Sequence, residues 1–174
     1  MTSTQTTQTT LTGERADLVQ TLDRHRGFFR HTVRGLTDEQ ATQRTTASEL
    51  TLAGLIKHVA HTEQKWADFA QRGAEAFDTS NWSIEAWKAE WSLQPGETLA
   101  GVLAEYEQIA HRTDELIATL DLDASYELPK APWFEPGARW SVRRVVLHLI
   151  AETSQHAGHA DILRESLDGQ KTMG

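Results

Sequence analysis

What most constrains this chain is a helical apolar period that recurs in four long stretches. From about Glu14 to Gly35, one stripe collects Leu18, Leu22, Phe29, Val33 and the following Leu36. From Thr51 to about Arg72 it collects Leu52, Leu55, Ile56, Val59, Trp66 and Phe69, and Gly73 can stop it. A third runs from about Thr98 to Leu120 through Leu99, Leu103, Tyr106, Ile109, Leu116 and Ile117. The last opens at Ser141, a good N-cap, and continues to about Leu167 before Gly169. Apolar residues spaced three and four apart share one helix face, and such a face has to be covered. Four of them cover one another as a bundle, so the expected fold class is all-α, a four-helix bundle.

The connections are expected to be long, about 15 to 25 residues, where simple antiparallel neighbours need about 2 to 8. Thr37 and Gln40 fit a capping box and predict a short helical turn. Residues 73 to 97 carry Trp82, Trp87 and Trp91, with room for one short helix. Pro129, Pro132, Pro136 and Gly137 predict a loop, and few segments alternate as a half-buried strand does. Residues 1–12, rich in Thr and Gln, read as a flexible tail, and 13–174 as one domain without internal repeats. Connections of this length can cover one end of a bundle and leave space for a ligand.

Composition narrows the chemistry. There is no cysteine, which removes disulfides, thiolate metal ligands and a cysteine nucleophile. The net charge of −8, with the 17 basic residues scattered, argues against nucleic acid as a partner. No apolar run approaches the roughly 18 residues of a membrane-spanning helix, and the first residues lack a leader pattern. The expected location is the cytoplasm.

The polar residues of the last stretch are the informative ones. At about 100° per residue, His148, Glu152, His156 and His159 fall within an arc of roughly 80°. Val145, Leu149, Ile162 and Leu163 flank that arc, placing it on or beside the buried face. A carboxylate buried among apolar groups is costly unless paired or bound to a metal. Glu152 and His156, four apart, can share one ion, and His58 on the second helix can supply a third ligand. His148, Glu63 and Asp161 are candidate partners of the ligands, and His61 and His159 candidate acid–base or substrate-facing groups. Asp161 and Arg164 are candidate contacts for a bound small molecule, with a surface i,i+3 ion pair as the alternative. His25 reads as a core histidine, His31 and His111 as solvated ones. The tryptophans read as packing, or, at Trp133-Phe134, as the wall of a pocket.

At these residues the sequence resembles the DinB-like superfamily, and within it the actinobacterial mycothiol S-transferase branch. The resemblance rests on Gly35-Leu-Thr-Asp-Glu-Gln-Ala41, on Ser48 to Trp66 around His58, and on Trp140 to Glu165 with its Glu-x-x-x-His-x-Gly-His-Ala-Asp run. It covers about residues 14 to 168. It implies an up-down-down-up bundle holding one divalent metal on His58, Glu152 and His156. Gln155 stands where relatives often carry Arg, and Ala151 where an acidic residue is common, which leaves the cosubstrate open.

The expected function is a metal-dependent thiol S-transferase joining a low-molecular-weight thiol of the mycothiol type to a small electrophile. The donor set suits Zn²⁺ first, with Ni²⁺, Mn²⁺ and Fe²⁺ as alternatives. The partners are then the small-molecule thiol and the electrophile, and a homodimer is one option for assembly. Alternatives on the same residues are a hydrolase, a thiol-dependent isomerase, a non-enzymatic small-molecule or metal-binding protein, and a bare bundle with ordinary core histidines.

Overall fold

The computed structural model describes residues 11–77 and 83–172. Most of the expected tail, and Trp82, lie outside these residues. The long helices are α1 (Gly13–His31), α3 (Leu52–Arg72), α5 (Leu99–Thr119) and α6 (Val142–Asp168). The short helix α2 (Asp38–Ala41) starts with the expected capping box between Thr37 and Gln40. Thr51, Thr98 and Ser141 each accept a hydrogen bond from the backbone N–H three residues on, which sets where α3, α5 and α6 begin. At the end of α3, Gly73 has φ of 69°, and a Cβ there would stand 2.9 Å from the Tyr126 ring. Both demands select glycine.

Interhelical pairs define the topology. Lys57 binds Glu97, at the entry to α5, and Asp68 binds Arg112 a few turns further along, so α3 and α5 run parallel. Glu14 meets Arg143, and the far end of α6 reaches Thr32 and Arg34 through Arg164, so α1 and α6 also run parallel. The His58–His156 and Trp66–His148 contacts, which run in opposite directions along α3 and α6, set the two parallel pairs antiparallel to each other. The result is an up-down-down-up four-helix bundle. Two consecutive parallel helices require the chain to travel back along the bundle between them. The connection from α3 to α5, with a 3-10 turn at Gly73–Ala76 and α4 (Ile84–Ala89), makes that return.

The connection before α6 is not a plain loop. It holds a two-stranded antiparallel ladder, β1 (Ser125–Glu127) with β2 (Arg139–Ser141), in which Tyr126 faces Trp140. Three-residue strands are too short for an alternating pattern to register, which is why the sequence predicts only a loop here.

The core has two apolar halves. One packs Phe29, Leu55, Ile56, Val59 and Tyr106; the other packs Leu22, Trp66, Phe69, Ile117 and Leu149. Between them each long helix places a buried polar residue, Arg26, Glu63, Thr113 and Thr153, while Lys57 of α3 and Arg164 of α6 are buried nearer the helix ends. Arg26 and Glu63 are 0% and 1% exposed, with Arg26 also reaching Asp114 at 2.9 Å. No described helix is long and apolar enough to cross a membrane.

Candidate metal centre

His58 sits on α3 one turn above Thr62, Glu152 and His156 on facing turns of α6. A ligand atom from each lies within 4.8 Å of the other two. His156 Nε2 is 3.6 Å from Glu152 Oε2. Ligands at about 2.1 Å around a tetrahedral ion stand about 3.4 Å apart, so small side-chain rotations close the set.

The electrostatics suit a cation. Burial, aided by the neighbouring His156, pushes the His58 pKa down to about 4, leaving its imidazole neutral and able to donate a lone pair. His156 beside it holds the Glu152 carboxyl below its ordinary value against the effect of burial. His148 is also lowered by burial, and its Nε2 lies 3.9 Å from Glu152 Oε1. His159 Nδ1 stands 3.4 Å from His156 Nδ1, on the side of the ring away from Glu152. A group there orients the imidazole and selects its tautomer.

The aromatic partner of His58 comes from the returning connection. Trp91 stacks on the His58 ring at 3.7 Å with an interplanar angle of 16°. Three successive turns of α3 hold Trp91 there. His61 Nδ1 pairs with Glu90 at 2.6 Å, Lys57 donates to the Ser92 carbonyl and to Glu97, and Gly54 receives the Trp91 backbone itself. The Glu90 bond raises the His61 pKa, and the same bond brings Glu90 down to about 2.

A Cβ at Gly54 would fall 2.0 Å from the Trp91 carbonyl oxygen. Gly54→Ala is therefore expected to shift the connection, at a cost of about 1–3 kcal/mol, and to unstack Trp91. Loss of tryptophan signal in near-ultraviolet circular dichroism, with helical content kept, checks this. An unchanged spectrum and stability would refute the clamp.

The other sequence candidates fall in different places. The Glu63 carboxylate is bonded to Arg26 rather than to a ligand of the cluster. Arg164 does not form a surface pair with Asp161. It is buried, bonded to Asp168, Gln170 and the carbonyls of Thr32 and Arg34. Asp161 instead accepts the Thr172 N–H at 2.7 Å. His25 is half-buried, edge-on to Phe28, while His31 and His111 are exposed. Ala151 and Gln155 are exposed, as is Ile162, which was expected beside the buried arc. Sequence reasoning missed Trp91 and Glu90 as neighbours of the site. Their one signal was a glycine early in an otherwise well-formed helix, marking a close backbone approach.

A four-helix bundle with a His-Glu-His cluster between two facing helices is the class of protein this geometry defines. The mycothiol S-transferase family matches residues 17–169, and the chain belongs to that DinB-like family. Two solved structures share the fold. A conserved protein from Enterococcus faecalis is 15% identical with a TM-score of 0.69, the match covering 92% of this chain and all of the other. YfiT from Bacillus subtilis, described as a probable metal-dependent hydrolase with an unusual four-helix bundle topology, is 16% identical. Its TM-score is 0.64, and the match covers 89% of each chain. No protein with a curated description matches the sequence significantly.

Proposed function

We propose that the protein is a metal-dependent thiol S-transferase, joining a mycothiol-type thiol to a small electrophile in the cytoplasm. The observation that carries this reading is the His58–Glu152–His156 cluster in a cysteine-free chain of the mycothiol S-transferase family. Two imidazoles and one carboxylate fit a divalent ion with positions left for a ligand, Zn²⁺ first and Ni²⁺, Mn²⁺ or Fe²⁺ as alternatives. Such an ion, when bound, lowers the pKa of a thiol and so supplies a thiolate at neutral pH.

The chain's own residues do the rest. Trp91 fixes the His58 ring by stacking and covers that side of the site. His159, at Nδ1, orients His156 and is the nearer acid–base candidate. His61 is the second; its Nε2 faces Glu105 at 3.7 Å while Nδ1 is held by Glu90. Asp161 and Arg164 would act on the thiol through the chain's last described turn, since both are already bonded to residues 168–172. A homodimer is part of this proposal only as an option for assembly.

The test is direct. Purified protein is expected to carry close to one equivalent of metal, and to conjugate mycothiol or bacillithiol to a bimane electrophile in a metal-dependent way. Absence of metal, before and after zinc addition, would end the proposal. The YfiT description favours one other reading, a hydrolase on the same donor set. Ester or amide hydrolysis that ignores the added thiol would select it instead.

A further inference from the structure

A cavity of about 620 Å³ opens beside the metal cluster without including any of its three residues. Thr62, Lys65 and Trp66 of α3 form one wall; Phe77, Trp133 and Phe134 close the others. This is the size and make-up of a small-molecule site, mostly apolar, with four aromatic rings and few polar groups. Two tracks lead from it to the cluster. Along α3, Thr62 and Trp66 stand one and two turns from His58, so about 6–12 Å separates cavity wall and ligand. Along α6, His148 packs edge-on against Trp66 at 4.8 Å and against Trp140 at 5.1 Å while approaching Glu152.

The mouth is as informative as the walls. Trp133 is 77% exposed, meeting Phe134 edge-on. A large aromatic left in water at the mouth of an aromatic cavity gains when a flat apolar molecule covers it. The charged residues of the lining are both cations: Lys65, which faces Glu90 at 3.6 Å, and the exposed Lys130.

We propose that this cavity is the electrophile subsite, and that it favours electrophiles with a flat aromatic body over small polar ones. The chemistry rests on the transferase reading; the binding does not. With 1-chloro-2,4-dinitrobenzene, the thiol sulfur attacks the ring carbon bearing chlorine. A C–S bond forms, the C–Cl bond breaks, chloride leaves with the electron pair, and the thiol proton passes to solvent.

Binding is tested first, on the metal-free full chain, with 2,4-dinitroaniline as an unreactive probe in equilibrium dialysis. Saturable one-to-one binding is expected, weakened about fivefold to tenfold in Trp133→Ala and in Phe134→Ala. Trp133 is exposed, so its variant stays informative should Phe134→Ala misfold. On metal-loaded protein, the ratio of kcat/KM for chlorodinitrobenzene to that for iodoacetamide should fall by a similar factor in Trp133→Ala. Probe binding that is absent, or equal in wild type and variants, overturns the subsite even if thiol conjugation proceeds. A kcat/KM ratio unchanged in Trp133→Ala overturns it too. Probe binding lost in the variants without any thiol conjugation in wild type leaves the subsite standing and removes the transferase reading.

Discussion

Glu63→Ala is expected to cost about 3–5 kcal/mol of folding stability, the range for breaking a buried ion pair. Arg26 has no exposure at all, and two of its nitrogens bind the Glu63 carboxylate, at 2.5 and 3.1 Å. Burial is the largest single influence and would lower the Arg26 pKa, but the charges and hydrogen bonds of Glu63 and Asp114 together outweigh it and the pKa is raised. Removing Glu63 leaves a guanidinium inside the bundle with Asp114 as its anionic partner, and Asp114 is itself a third exposed. Against a total stability of about 5–15 kcal/mol, that loss brings the chain near unfolding. Guanidinium unfolding followed by helical circular dichroism measures it. A loss below about 1 kcal/mol would mean the pair behaves as a solvated one. The paired change Arg26→Met with Glu63→Leu should recover most of the stability, because it removes both charges together.

That pair also marks where the sequence stopped being legible. Helix extents, the capping box at Thr37 and the glycine stops at Gly73 and Gly169 were readable because each is local: periods, caps and stops act within a few residues. The cluster was readable for a related reason. Glu152 and His156 are brought together by a single helix, and a carboxylate on a buried arc demands a partner. Glu63 obeys the same rule, yet its partner, Arg26, lies on another helix 37 residues away. Nothing local says that Arg26, Glu63, Thr113 and Thr153 share one level; that depends on how the four helices are aligned against each other. The role of Trp91 was hidden likewise, since it follows from the return path that parallel α3 and α5 impose. The β1–β2 ladder escaped for want of length.

His156→Ala is the sharpest test of the cluster, with metal retention expected to fall by more than the roughly 100-fold that loss of an outer partner can cause. His156 is the central member: it is 3.6 Å from Glu152, packs edge-on against His58 at 5.1 Å and meets His159 through its other nitrogen. Without it His58 and Glu152 remain as a two-ligand set on different helices, and the chelate formed within α6 is gone. The imidazole is 13% exposed and its ring contacts are with His58, Trp91 and His159, beside the site, so the fold should survive, and unchanged helical dichroism would verify that. His159→Ala is the graded companion. It leaves all three ligands in place and removes only the group at His156 Nδ1, so a loss of about 10- to 100-fold is expected. Metal titration with a competing chelator, at pH 7 where His58 is neutral, reads both. Full retention by His156→Ala would show that the ion, if any, is held elsewhere. Equal losses in the two variants would show instead that His159 is a ligand in its own right and that the set has four members.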